Sequence, residues 1–184
     1  DNIVNFLAIG EIYSCTMGGA CDRYFVVEHD GGVYPCDFFV EPQYRLGSVM
    51  DEDWRGLRNS PVYRAFASQK SRWNEACARC EYLDLCSGDC LKMRFRTGAE
   101  TGKSPKTHGD PRSLSYLCEG HRRFFDETIS VFTGLARDAR RRVLRLDPGV
   151  PLPPVSRDPE APCFCGSGKK YKNCHTGSCV GWTR

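Results

Sequence analysis

The chain has 184 residues, of which 40% are hydrophobic and 27% are charged, and its formal net charge is +3. This length suits one moderate core with a small appended module, and the nearly balanced charge gives little support for nucleic acid as a partner. No stretch approaches the ~20 apolar residues that span a bilayer and no signal peptide opens the chain, so we expect no membrane role and a cytoplasmic location.

The first forty residues are predicted to be rich in β-structure. In "YFVVEHDGGVYPC", two short apolar runs flank Asp30, Gly31 and Gly32, a pattern typical of a β-hairpin. Cys36 is expected at the end of the second strand. Because the sequence begins at Asp1, without a methionine and inside the apolar run "NIVNFLAIG", we expect it to be a piece of a longer protein.

Two helices are predicted farther along. Ser60 followed by Pro61 is a typical helix start, so a short helix is expected before Lys70. A longer helix is predicted from Ser115 to about Leu146, where apolar residues recur at helical spacing. The opposite face of that helix, which we interpret as a solvated surface, carries Arg137, Arg140, Arg141 and Arg145. Between these helices, "TGAETGKSPKTHGDP" shows no periodicity and is predicted to be a loop.

The C-terminal part of the sequence is predicted to form a linker and a separate zinc module. Residues 147–162 contain six prolines in sixteen residues and should be extended and semi-rigid. Residues 163–184 carry a C-x-C-x8-C-H motif that suits a closed structural zinc site, without which so short a segment could hardly fold. Its expected ligands are Cys163, Cys165, Cys174 and His175. The alternative is a disordered basic tail with reducible cysteines, and the sequence assigns no role to Cys179.

Cysteine is the most informative residue type in this chain, which contains twelve of them. Pairs spaced C-x2-C are poor disulfide partners and good chelates, so metal sites are favoured over an extracellular disulfide scaffold. Eight cysteines precede the linker: Cys15, Cys21, Cys36, Cys77, Cys80, Cys86, Cys90 and Cys118. Eight thiols make two sets of four. The spacing alone allows either one metal for the four in "CARCEYLDLCSGDC" or an interleaved arrangement.

The order of these cysteines resembles a known family. The pattern C-x5-C-x14-C, a gap of forty residues, C-x2-C-x5-C-x3-C and a final cysteine beyond a loop resembles the SPASM domain of radical S-adenosylmethionine enzymes. The stretch "VVEHDGGVYPCDFFVEPQYRLG" is similar to anaerobic sulfatase-maturating enzymes, and the C-terminal motif is similar to the SEC-C zinc motif. The resemblance implies an α+β fold in which a small β-hairpin and helices of residues 1–146 surround two iron-sulfur clusters.

The resemblance also implies a role for individual residues. It places a first auxiliary 4Fe-4S cluster on Cys15, Cys21, Cys36 and Cys90, and a second on Cys77, Cys80, Cys86 and Cys118. With four thiolates each, the clusters would serve electron transfer. Asp37 occupies the position of the family's catalytic base, whereas without the resemblance it would be a turn residue after the hairpin. Asp89 stands where the family tends to have glycine, so the loop before Cys90 is strained if that position needs a positive φ.

The implied reaction is the oxidation of a Cys or Ser in an unfolded sulfatase polypeptide to Cα-formylglycine. In the family, a barrel domain holds a third 4Fe-4S cluster on a C-x3-C-x2-C loop and cleaves S-adenosylmethionine to generate the radical. This motif does not occur in the 184 residues, so we expect the chain alone to be inactive and to need the missing barrel domain as a partner. The alternative is a non-catalytic zinc-binding interaction module that contacts a partner through its arginine face and its basic tip at residues 169–172.

Overall fold

The structure is a computed structural model that describes residues 2–95, 109–152, 160–161 and 169–170. Its helices are α1 Asn2–Ile9, α2 Trp54–Asn59, α3 Pro61–Gln69, α4 Glu75–Ala78, α5 Leu83–Cys86, α6 Leu91–Arg94 and α7 Cys118–Leu144. Its strands are β1 Val26–Val27, β2 Gly32–Tyr34 and β3 Gly47–Ser48, with a 3-10 turn at Pro42–Tyr44. Helices together with a small antiparallel sheet confirm the α+β class.

The chain divides into two compact units, one formed by Tyr13–Asp126 and the other by Asp1–Ile12 together with Glu127–Arg184. The predicted boundaries at residues 146 and 162 stay predictions. Most of the predicted loop at residues 97–111 and all four predicted zinc ligands lie outside the described residues. In the part of the chain that the structure describes, no helix combines the length and the apolar character needed to cross a membrane.

The predicted β-hairpin is confirmed. Strands β1 and β2 pair antiparallel, with Val27 opposite Val33. Gly31, in the turn between them, has a φ of 79° and donates its N–H to the Glu28 carbonyl at 2.9 Å. Glycine reaches this left-handed conformation without the steric penalty that a Cβ imposes. Strand β3 adds antiparallel to β2 and was not predicted, because its two residues are too few to show alternation.

The helix start at Ser60 is also confirmed. The Ser60 hydroxyl accepts a hydrogen bond from the Tyr63 N–H at 3.1 Å, and Pro61 occupies the first turn of α3. A second short helix, α2, precedes it and is capped by Asp53, whose carboxylate accepts from the Gly56 N–H at 2.6 Å. Helices α2 and α3 contribute to one buried cluster, which consists of Val33, Leu46, Leu57 and Tyr63. This packing holds both helices against the hairpin.

A second buried cluster forms around Phe39. Its ring meets Phe66 and Phe95 edge to face, at centroid distances of 5.1 Å and 5.7 Å, an arrangement that aromatic quadrupoles favour. Leu91 and Cys36 complete the cluster. A cysteine at the end of the hairpin is therefore packed directly against helices α3 and α6.

The first helix differs from the sequence-based expectation, whereas the last helix agrees with it. Residues predicted to belong to a β-rich segment form helix α1 instead, because an apolar run without alternation fits either structure. The long helix is confirmed as α7, and it ends in a left-handed residue, Arg145, with a φ of 53°. The Leu146 N–H then donates to the Arg141 carbonyl at 3.0 Å. This is the bond pattern of a Schellman cap.

Candidate metal centres

Four cysteines line one cavity of about 300 Å³ in the Tyr13–Asp126 unit. They are Cys77, Cys80, Cys86 and Cys118. The first three come from α4, the turn after it and the end of α5, and the fourth is the first residue of α7. Helix α4 is started by Asn74, whose side-chain oxygen accepts from the Ala76 N–H at 2.9 Å. The short elements of the cysteine-rich loop and the start of the long helix α7 thus bring their thiols to a single cavity.

The other four cysteines line a second, narrower cavity of about 30 Å³ in the same unit. They are Cys15, Cys21, Cys36 and Cys90. The first two lie in the segment before β1, the third follows β2, and the fourth is the N-cap of α6. The structure therefore groups the eight thiols in the same two sets that the family resemblance implies.

Cys86 and Cys90 line different cavities although only three residues separate them. Those residues, Ser87, Gly88 and Asp89, all have positive φ, at 47°, 69° and 66°. A left-handed residue with a Cβ costs about 1–2 kcal/mol. Two of these three residues carry one, so the anticipated strain at position 89 is present and extends to position 87. Three successive left-handed residues redirect the backbone between the two thiols.

The buried side chain of Arg94 holds the loop of residues 87–89 in place through hydrogen bonds. Its side chain is 2% exposed. It donates to the carbonyls of Ser87 at 2.7 Å, Gly88 at 2.6 Å, Asp89 at 3.1 Å, Lys70 at 2.9 Å and Pro111 at 3.1 Å. A Cβ on Gly88 would lie 2.6 Å from Arg94 Nη2, so the close approach requires glycine. One buried guanidinium thus satisfies the carbonyls that the strained loop turns inward.

Asp89 connects the same loop to the start of α7. Its buried carboxylate accepts from the Ser115 hydroxyl at 2.6 Å, and the Ser115 oxygen accepts from the Leu117 N–H at 3.0 Å. His121 Nδ1 lies 4.0 Å from Asp89 Oδ2 and 4.0 Å from Cys86 Sγ. These contacts fix the segment that leads into Cys118.

Lys70 is a fully buried cation at the wall of the narrower cavity. Its ammonium group donates to the carbonyls of Cys15 and, at 2.8 Å, Thr16. Burial lowers the pKa of Lys70, and the nearby thiols of Cys21 and Cys90 act in the opposite direction. Sequence reasoning missed both Lys70 and Arg94 as site residues, because long cationic side chains are almost always exposed and nothing in the local pattern marks an exception.

Burial also governs the ionisation of the thiols. It raises the pKa of Cys21 and Cys86 to about 11 and the pKa of Cys36 to about 12. A metal ligand must be the thiolate, so metal binding here would release protons. The donor set of four cysteines around each cavity fits a 4Fe-4S cluster, which takes four thiolate ligands. In such a cluster each thiolate binds a different iron, so the four sulfurs need not converge on one point. Consistent with this, no three His, Cys, Asp or Glu side chains in the described parts of the chain are placed to hold a single metal ion.

Asp37 is exposed to solvent and lies in sequence between Cys36 and Phe38, which both line the narrower cavity. It is in a turn that the Phe39 N–H closes by donating to the Cys36 carbonyl at 3.1 Å. Its Oδ1 lies 3.4 Å from the Tyr24 hydroxyl and 3.4 Å from Cys36 Sγ. The Tyr24 hydroxyl is also 3.8 Å from Cys15 Sγ. Tyr24 is a third site residue that sequence reasoning missed, because a single tyrosine before a strand carries no functional signal.

The remaining candidate residues belong to the C-terminal part of the chain. Of the arginine face on α7, Arg141 donates to the carbonyls of Asp147 at 2.9 Å and Val150 at 2.7 Å. Arg141 therefore stabilises the turn that follows α7. At the basic tip, Lys170 pairs with Glu160 at 2.7 Å. The four predicted zinc ligands and Cys179 lie outside the described residues.

Two protein-family models match separate parts of the chain. Residues 15–81 match the SPASM family, described as an iron-sulfur cluster-binding domain, and residues 161–175 match the SEC-C motif. A cysteine-type anaerobic sulfatase-maturating enzyme of Clostridium perfringens (strain 13 / Type A) is 32% identical over 140 residues, which are 76% of this chain and 35% of that protein. A serine-type enzyme of Bacteroides thetaiotaomicron is 34% identical over 112 residues, 60% of this chain and 25% of that protein.

Solved structures give the same relationship. The structure described as "Native anSMEcpe with bound AdoMet and Kp18Cys peptide" has a TM-score of 0.65 and 30% identity, over 75% of this chain and 35% of that chain. The chain spans about a third of the length of these curated relatives from Clostridium. The chain therefore contains a SPASM iron-sulfur cluster-binding domain, and its relatives are anaerobic sulfatase-maturating enzymes of the radical S-adenosylmethionine superfamily.

Proposed function

We propose that this chain is the auxiliary-cluster and substrate-side domain of a radical S-adenosylmethionine sulfatase maturase. The reaction would oxidise a Cys or Ser of an unfolded sulfatase polypeptide to Cα-formylglycine. The observation that carries the proposal is the division of eight cysteines between two cavities, four to each, in an interleaved order. A barrel domain that carries S-adenosylmethionine and a third 4Fe-4S cluster is the partner that this role requires.

The two cavities supply the ligands. We assign the first 4Fe-4S cluster to Cys15, Cys21, Cys36 and Cys90, and the second to Cys77, Cys80, Cys86 and Cys118. When bound through four thiolates each, such clusters supply acceptors for the electron that substrate oxidation releases, since no iron is left open to substrate. The second set also lies at the N-terminus of α7, where the positive end of the helix dipole favours an anionic group.

Asp37 is the proposed general base. Oxidation of the substrate side chain removes a hydrogen atom from its β-carbon, a proton from its hydroxyl or thiol, and one electron. The exposed Asp37 carboxylate can accept that proton, and its neighbour Tyr24 orients it by donating to Oδ1 at 3.4 Å. With a cysteine substrate, water then replaces the sulfur, which leaves as sulfide.

The surface beside Asp37 suits an unfolded polypeptide. Phe38 is 45% exposed and Val40 is 36% exposed, and both follow Asp37 closely in sequence. Apolar side chains next to a solvent-exposed carboxylate offer contact area to an extended peptide and place its reacting side chain within reach of the base. We therefore propose that this turn is where the substrate meets the domain.

The proposal also covers the C-terminal zinc module, the domain limits and the cellular compartment. The SEC-C match at residues 161–175 includes Cys163, Cys165, Cys174 and His175, which we propose as ligands of one structural zinc. The domain limits are 1–146 for the cluster domain, 147–162 for the linker and 163–184 for the zinc module. We propose a cytoplasmic location, because cysteines that are to bind metal clusters must stay reduced and a reducing compartment keeps them so.

Anaerobic reconstitution followed by iron, zinc and sulfide analysis tests the assignment. Two 4Fe-4S clusters require about eight irons and about eight sulfides per chain, and the protein should be brown with broad visible absorption. The rival zinc-binding interaction module would be colourless, with zinc in place of iron and no sulfide. An extracellular scaffold would show no free thiols after denaturation without a reductant. A zinc-filled, sulfide-free chain would overturn the proposal.

A further inference from the structure

Two cationic side chains are buried between the two cysteine cavities, and the reaction proposed above gives neither a role. Lys70 is 0% exposed and Arg94 is 2% exposed. Lysine and arginine are rarely buried to this degree unless a negative charge compensates them, because removing a charge from water is costly. The buried Asp89 carboxylate near Arg94 supplies one negative charge for the two cations, so their burial points to a further anionic partner.

The hydrogen bonds of Lys70 leave its charge uncompensated. Its ammonium group donates to the carbonyls of Cys15 and Thr16, which are neutral acceptors. The same side chain lines the narrower cavity together with Cys21 and Cys90. These bonds satisfy donor hydrogens, but only a net negative charge in the cavity offsets the ammonium charge. Four thiolates around iron would provide that charge.

Arg94 continues this arrangement toward the second cavity. It donates to the Lys70 carbonyl at 2.9 Å and to the Gly88 carbonyl at 2.6 Å. Gly88 lines the larger cavity, which holds the other four cysteines. Hydrogen-bonded contacts therefore connect the two cavities. Lys70 lines the narrower cavity, Arg94 bonds to both Lys70 and Gly88, and Gly88 lines the larger cavity.

The two buried cations should make reduction of the nearby clusters more favourable. Reduction adds a negative charge to a cluster, and a nearby positive charge in a medium of low dielectric constant stabilises the reduced form more than the oxidised form. The charge also weakens the repulsion between two anionic centres in one small unit. A buried cation acts more strongly than a surface cation, because water and salt screen the latter.

We propose that Lys70 and Arg94 form a cationic bridge that sets the reduction potentials of the two auxiliary clusters, with Lys70 acting mainly on the first. The inference rests on the proposed function, since it requires both clusters. In this proposal both side chains act through their charge, and their hydrogen bonds to backbone carbonyls hold them in place.

The test compares midpoint potentials of the anaerobically reconstituted full chain, followed by electron paramagnetic resonance during a redox titration. Lys70→Met removes the charge at similar length, and Lys70→Gln removes it but keeps an amide that can donate to the Cys15 and Thr16 carbonyls. Lys70→Arg keeps the charge. Arg64→Met is the matched control, because Arg64 is exposed on α3, the helix that ends at Lys70 as its C-cap, and its loss changes the net charge by the same amount.

We expect both neutral Lys70 variants to make reduction of one cluster at least about tenfold less favourable, which is about 59 mV for a one-electron couple. The other cluster should shift less, and Lys70→Arg and Arg64→Met should stay near the unchanged chain. If the neutral variants lose the first cluster while Lys70→Arg keeps it, the bridge is also supported, because the charge is then needed to hold that cluster.

Two results would overturn the inference in different ways. Neutral Lys70 variants with full iron content and unchanged potentials would show that Lys70 only anchors the Cys15 loop. Failure of the unchanged chain to take up iron and sulfide would remove the proposed function itself, and the bridge with it.

Discussion

At the scale of single residues, Asp37 carries the proposed chemistry. When this domain is joined to its radical-generating barrel, Asp37→Asn keeps the size of the side chain and removes its basicity. Both auxiliary clusters should still load, and formylglycine formation should fall by roughly 10²-fold or more, the usual scale for a positioned general base. Mass spectrometry of a sulfatase peptide measures the yield, and S-adenosylmethionine cleavage, assigned to the barrel, should suffer less.

The matched control for this change is Asp51→Asn, which alters an exposed carboxylate in the turn after β3, whereas Asp37 contacts Tyr24 and Cys36. It should leave the yield unchanged. A near-normal formylglycine yield from Asp37→Asn would make Asp37 a turn residue, and the proton would then go to water or to a group of the barrel.

Asp89 has a structural role, and its replacement should change the stability of the domain. Asp89→Ala removes the buried carboxylate that accepts from Ser115 at 2.6 Å and leaves alanine at a φ of 66°. We expect a loss of about 2 kcal/mol in stability, the scale of a buried hydrogen bond to a charged group. Asp89→Asn should lose less, because asparagine tolerates the left-handed region and keeps an acceptor.

Thermal unfolding of the reconstituted chain, followed by circular dichroism, measures both variants, with Asp84→Ala as an exposed control on α5. Equal stability of Asp89→Ala and the unchanged chain would mean that repulsion between Asp89 and the nearby thiolates cancels its hydrogen bond.

At the scale of elements, the loop between α5 and α6 separates two cysteines that we propose as ligands of different clusters. The left-handed run from Ser87 to Asp89 separates Cys86 from Cys90. Cys90→Ala should therefore damage the first cluster and leave the second largely intact, and Cys77→Ala should do the reverse. Iron content and the spectroscopic signature of the remaining cluster distinguish the two. Loss of the same cluster in both variants would show that the interleaved assignment is wrong.

The same loop shows what the sequence can and cannot predict. The hairpin and the start of α3 were predictable because Gly31 and the Ser60-Pro61 pair carry local turn and cap signals. The partition of eight thiols was not derivable from spacing, and only the family resemblance supplied it. It depends on a backbone reversal that rests on tertiary contacts of Arg94. Such contacts between distant segments leave no periodic trace in the sequence.

At the scale of the whole molecule, the eight cavity cysteines all fall within the Tyr13–Asp126 unit. Its two hydrophobic clusters are small, with four and five buried residues. Thiols from the hairpin, the cysteine-rich loop and α7 meet at the cavities, so bound clusters would connect elements that this limited core joins only weakly. Cluster assembly and folding of this unit should therefore be coupled.

The C-terminal zinc module should be independent of that unit. The predicted zinc ligands begin at Cys163, beyond the proline-rich linker, and all eight cavity thiols precede it. Truncation after Ser156 should therefore remove one zinc and leave about eight irons per chain, because no ligand of either cluster is lost. Metal analysis by mass spectrometry of the truncated and intact chains measures both, and His175→Ala in the intact chain is the control that weakens the zinc site without removing the tail. Loss of iron from the truncated chain, with iron retained in His175→Ala, would show that the tail and the cluster domain share a folded core.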